Sequence, residues 1–114
     1  MGRQEVTLLP VARDAAKILG QQVALARRDR QWTMSELAAR SGVSVHTVRS
    51  IEAGRPTVSL GNAFNVAVIA GVHLFTDSAS ELTLARTLGD QQLRLLPERV
   101  KPRETRGDDA DLDF

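Results

Sequence analysis

Side chains able to do covalent or metal chemistry are scarce in this chain. It has no cysteine, which excludes a disulfide framework, a thiolate metal site and a cysteine nucleophile. His46 and His73 are its only histidines, too few for a zinc site built on imidazoles. The sequence has no Gly-rich phosphate loop, no nucleophile–base pair and no paired carboxylates on a helix face. Asp108, Asp109, Asp111 and Asp113 are close in sequence, but nothing rigid holds them, so they lack the preorganisation that catalysis needs. The chain is therefore not expected to be an enzyme, and no metal or cofactor is expected.

The chemistry that remains is cationic. The formal net charge of +1 hides an asymmetry: residues 1–58 carry nine Lys/Arg against five Asp/Glu, whereas residues 59–97 are net −1 and residues 98–114 net −2. A basic N-terminal half with an acidic end suits a surface that binds a polyanion.

The elements that would position those cations are helices. With 114 residues, 42% apolar and 25% charged, the chain has the make-up of one globular domain with room for a tail. Its apolar content is Ala, Val and Leu, with only 4% aromatics, which favours small helices over a β-sandwich. No apolar run approaches the length of a membrane span, and Met1–Pro10 has no signal-peptide core, so a cytoplasmic location is expected.

Residues 1–10 read as a flexible N-terminus. From Val11 to Asp29, apolar positions 11, 15, 18, 19, 23, 25 and 26 recur with helical spacing. Thr33, with Glu36 three residues later, predicts a capping box and a helix from Met34 to Ser41, stopped by Gly42. Ser44 predicts the cap of a helix from Val45 to Ala53, ended by Gly54. Pro56 forces a loop. Ser59 caps a helix from Leu60 to Ala70, closed by Gly71. The run Ala63–Ala70 is apolar nearly all round, which predicts burial on more than one side and hence a subunit interface. A fifth helix is expected from Ala79 to Leu88, broken at Gly89, with one more helical turn from Gln91 to Leu96. Residues 101–114 are expected to be a disordered acidic tail.

Two short helices joined by a tight turn, 33–41 and 44–53, have the layout of a DNA-binding helix–turn–helix. Ala38 is small where the helices cross, and Val43 and Val48 plug the space between them. Ser44 leaves the N-terminal side chains of the second helix free to enter a major groove. The string TMSELAARSGVSVHTVRSIEAG resembles the Cro/repressor-type (XRE) helix–turn–helix family, over about residues 15–75. The following GRPTVSLGNAFNVAVIAGVHLF, LLPERV and the acidic end finishing in Phe114 look like the HipB-like antitoxin branch.

The resemblance implies an all-α, five-helix repressor-like domain at 11–76, a helical extension at 77–100 and the tail at 101–114. It implies a sequence-specific repressor, a homodimer on a palindromic operator in double-stranded DNA. It also implies the antitoxin of a type II pair that neutralises a HipA-family serine/threonine kinase and autoregulates its operon. The alternative is a stand-alone repressor of the phage or restriction-controller type, without a toxin. By the family pattern the recognition helix reads bases through Val45, His46, Arg49 and Ser50, with Arg49 able to grip a guanine through two hydrogen bonds. Thr47 reaches a phosphate or only packs, and Arg55 contacts phosphate or is solvated. Arg27 and Glu52 occupy the places of a structural ion pair. Met34 stands where the family often has a phosphate-binding Gln, and Ser50 where many members have a basic residue. Phe64, Val68, Leu74 and Phe75 are expected at the dimer interface, and Leu112 and Phe114 as apolar anchors for the kinase.

Overall fold

The computed structural model describes residues 6–103. Five helices follow one another, with no strand among the described residues: α1 (Pro10–Asp29), α2 (Met34–Ser41), α3 (Val45–Glu52), α4 (Leu60–Ala70) and α5 (Ala79–Arg94). The fold is all-α, with the helix–turn–helix formed by α2 and α3. The described residues divide into two compact units, 6–82 and 83–103.

Local chemistry sets the helix ends. Pro10 occupies the first turn of α1, where its missing N–H costs nothing. Thr33 and Glu36 form the expected capping box. The Glu36 N–H donates to Thr33 Oγ1 at 3.0 Å, and the Thr33 N–H donates to Glu36 Oε1 at 2.7 Å. Gly42 ends α2 in the left-handed region at φ 72°, and the Val43 N–H returns to the Ala38 carbonyl at 3.1 Å, satisfying a terminal acceptor. Ser44, Ser59 and Ser78 each accept the backbone N–H three residues on, starting α3, α4 and α5. Gly71 closes α4, also left-handed.

In the first unit the core is Val23 of α1, Leu37 and Ala38 of α2, Val48 and Ile51 of α3, and Val66, Ala67 and Ala70 of α4. Each helix contributes one stripe, as an amphipathic helix must. Leu19, Val43 and Leu74 pack around the margin, half-buried.

The break expected at Gly89 does not occur. α5 runs on to Arg94 and absorbs the separate turn expected at Gln91–Leu96. A lone glycine costs about 1 kcal/mol against alanine inside a helix, too little to end one flanked by good helix formers and free of proline. Arg86 also donates to Asp90 at 2.8 Å, an i, i+4 pair that spans the glycine and adds a few tenths of a kcal/mol. No residue of α5 is buried.

Candidate nucleic-acid interface

Helix α3 is held against α1 by two devices. The first is a close backbone approach at Gly20, in the middle of α1. A Cβ there would lie 2.5 Å from the Ile51 carbonyl oxygen and 2.6 Å from that of Glu52, so only glycine lets α1 pass this near the end of α3. The second is the Arg27–Glu52 pair. Arg27 Nε donates to Glu52 Oε2 at 2.7 Å and Nη2 to Oε1 at 3.0 Å, while Nη1 donates to the Trp32 carbonyl at 2.9 Å. Both side chains are under a tenth exposed. The hydrogen bond that it donates to Glu52 holds the Arg27 guanidinium above its usual pKa, against the opposing pull of burial. Such a pair fixes geometry, whatever its net stabilisation.

With Val48 and Ile51 in the core, the opposite face of α3 turns outward. His46 and Arg49 are exposed there, and a spacing of three residues makes them neighbours on one face. Val45 and Thr47 are half-buried. Val45 packs against the core, so only part of it is left exposed. The Thr47 hydroxyl sits 3.0 Å from that of Ser44, the capping residue.

Ser50 departs from the expectation of a base-reading residue. It is buried, at 6% exposed, where the chain after α3 folds back over it. Its Oγ accepts a hydrogen bond from Arg55 Nη1 at 3.3 Å. The Arg55 N–H also donates to the Ser50 carbonyl at 3.0 Å. Ser50 therefore braces Arg55, whose side chain is exposed. A polar cleft of about 210 Å³ lies beside these residues, lined by His46, Thr47, Ser50, Thr57, Ser59 and Asn62. It joins α3 to the N-terminus of α4.

Two features were hidden in the sequence. Trp32 is half-buried and meets two guanidiniums, Arg40 at 4.2 Å and Arg30 at 5.2 Å from its ring centroid, a cation–π arrangement. Gly20 is the other; its signal was a single glycine inside an otherwise regular helical pattern. Met34, in the place of the family's glutamine, is half-buried against the core.

The residues expected at a dimer interface come together only in part. Phe64 and Phe75 meet edge to face, centroids 5.9 Å apart and planes at 85°. Phe75 is 84% exposed and Val68 58% exposed, whereas Leu74 is half-buried on the core of its own chain. Phe75 holds a left-handed backbone at φ 68°, a conformation that costs a non-glycine residue of order 1 kcal/mol. Leu112 and Phe114 lie outside the described residues.

Residues 23–75 match the helix-turn-helix family model. No curated protein matches the sequence. The matched segment begins in the middle of α1 and ends at Phe75, so it contains the core, the Arg27–Glu52 pair and the outward face of α3. It supports the repressor-type family indicated by the sequence and, with it, a DNA-binding transcription regulator. Helix-turn-helix proteins of this kind are generally not enzymes. No described helix is long and apolar enough to cross a membrane.

Proposed function

We propose that the chain is a cytoplasmic, sequence-specific transcriptional repressor that reads a palindromic operator as a homodimer. The observation that carries this is the outward face of α3: His46 and Arg49 stand exposed, one turn apart, on a helix clamped at its far end by Arg27, Glu52 and Gly20. In this reading Arg49 reads a guanine edge, His46 a neighbouring base and Val45 a thymine methyl. Thr47 and Arg55 hold backbone phosphates, and Ser50 orients Arg55. Residues 11–76 are the DNA-binding domain, 77–100 a helical extension and 101–114 an acidic tail. The dimer is supported by the open apolar patch of Val68 and Phe75 beside Phe64, and by a strained backbone retained where it presents Phe75 outward.

The test is selection of bound duplexes from a randomised pool, with the stoichiometry read by sedimentation. A two-fold symmetric site with half-sites about 34 Å apart and two chains per duplex is the expected result. Asymmetric sites bound by one chain would refute the dimer, and an unselected pool would refute sequence-specific reading.

The finer reading is that this repressor is the antitoxin partner of a HipA-family kinase. Its support is the similarity of GRPTVSLGNAFNVAVIAGVHLF, LLPERV and the acidic, Phe-terminated end to HipB-like proteins. Leu112 and Phe114 would anchor the kinase among charges that steer association. Co-purification with the product of a neighbouring kinase-sized gene tests it. Full-length chain should bind more tightly than chain 1–100; equal affinity removes the tail's role, and no binding removes the antitoxin reading.

A further inference from the structure

Gly54, left-handed at φ 72°, carries the chain against the N-terminal half of α1. A Cβ there would lie 3.0 Å from Lys17 Cα and 3.1 Å from its backbone nitrogen. This approach sets Arg55 beside α1, where Arg13 and Lys17, four residues apart, share one face. The three cations line a pocket of about 430 Å³ with Leu8, Gly54 and Pro56, and no carboxylate among the described residues lines it. No ion pair engages Arg13, Lys17 or Arg55 among the described residues. Asp14 is next to Arg13 in sequence but turns about 100° away round the helix.

The placement is costly without an anion. Arg13 lies in the first turn of α1, whose N-terminus has no side-chain cap and no acidic residue in its first turn. That end of a helix carries partial positive charge, which disfavours a cation. The bond from Arg55 Nη1 to Ser50 leaves the Nη2 and Nε donors without a hydrogen-bond partner among the described residues. It also ties the pocket to α3. Arg13 and Lys17 lie outside the segment 23–75 that matches the helix-turn-helix family, so the N-terminal turns of α1 supply two of the three cations.

We propose that Arg13, Lys17 and Arg55 form one oxyanion pocket that grips a backbone phosphate of the duplex bound by α3. The inference rests on the reading of the chain as a DNA-binding protein. The phosphate is held by guanidinium hydrogen bonds and by the charge of Lys17, so the contact is independent of base sequence. It secures the start of α1 against the duplex and makes binding more salt-dependent.

The experiment is a salt titration of binding to a 30-base-pair duplex selected by the wild-type chain, repeated on a random duplex. Arg13→Gln/Lys17→Gln, Arg55→Gln and the triple variant are compared with wild type. Each phosphate contact contributes about 0.9 to the slope of log affinity against log salt, so losing one makes the fall between 50 and 200 mM salt about 3.5-fold shallower. The pocket predicts that loss in the double variant, in Arg55→Gln and, without increase, in the triple variant, because the three share one phosphate. Charge-retaining Arg13→Lys/Lys17→Arg should keep the wild-type slope, and thermal midpoints should stay in place. Wild-type slopes in the double variant would overturn the pocket while leaving DNA binding by α3 intact. Losses that add up in the triple variant would overturn a shared phosphate. In the absence of DNA, inorganic phosphate that raised the melting temperature of wild type and not of the double variant, together with wild-type salt slopes in the double variant, would assign the pocket to a free anion instead. A wild-type chain that bound neither duplex would refute this site together with the DNA-binding reading.

Discussion

Removing either partner of the Arg27–Glu52 pair leaves a charge under a tenth exposed with no counter-ion. Breaking a buried pair from one side typically costs about 3–5 kcal/mol, a large part of the 5–15 kcal/mol by which a domain is stable. Glu52→Gln and Arg27→Met should each show a loss of that order. The double variant Arg27→Met/Glu52→Leu removes both charges and should lose much less. Its remaining cost comes from the Trp32 carbonyl, which loses the Arg27 Nη1 donor; an orphaned acceptor costs about 1–3 kcal/mol. The coupling between the two sites is therefore several kcal/mol. Urea denaturation with linear extrapolation measures all four proteins. Single losses below about 1 kcal/mol, or a double loss equal to their sum, would refute a buried, mutually dependent pair. The stability due to Arg27 should also be flat from pH 6 to 9. Its folded-state pKa is raised above an already high value, so its contribution is complete below the unfolded pKa and is lost only in strong alkali.

Gly20→Ala should destabilise the domain by about 1–3 kcal/mol, as overpacking does, although alanine is the better helix former; a gain in thermal midpoint would mean that α1 and α3 do not cross at this distance. Thr33→Ala should cost about 0.5–2 kcal/mol through loss of the capping box, read by the same denaturation series, and an unchanged midpoint would remove the cap from the account of α2. If the proposed dimer closes through α4, Val68→Asp should leave a folded monomer that binds the selected duplex more weakly, measured by sedimentation and titration; a variant still dimeric would move the interface away from α4.

The start of α2, the turn at Gly42 and the caps of α3 and α4 were legible because each depends on one or two residues whose chemistry is local. Thr33 with Glu36, Gly42, Ser44 and Ser59 act within a few positions of themselves. The Arg27–Glu52 pair was legible only through family resemblance, since 25 residues separate the partners and nothing local links them. Gly20 and the approach of Gly54 to Lys17 were not legible, because a close crossing is a property of two helices together. Ser50 was misplaced for a related reason: the family pattern names its position, but burial beside Ile51 and the reach of Arg55 decide what its hydroxyl meets. Gly89 shows the reverse error, a local breaker given more weight than its energy warrants. On α4, the apolar run predicted a surface needing cover. Val66, Ala67 and Ala70 are covered by the chain itself, and Val68 and Phe75 are not.

The central claim is that the outward face of α3 reads base edges, and Arg49 tests it most directly. Affinities of wild type and Arg49→Ala are measured for the selected duplex and for every single base-pair change within one half-site. Loss of a two-bond guanine contact is worth about 1–3 kcal/mol of discrimination, a factor of about 5 to 150. Arg49→Ala should lose that discrimination at one G·C pair and keep it elsewhere, with an unchanged thermal midpoint because Arg49 is exposed. Equal discrimination at every position by the two proteins would contradict the account.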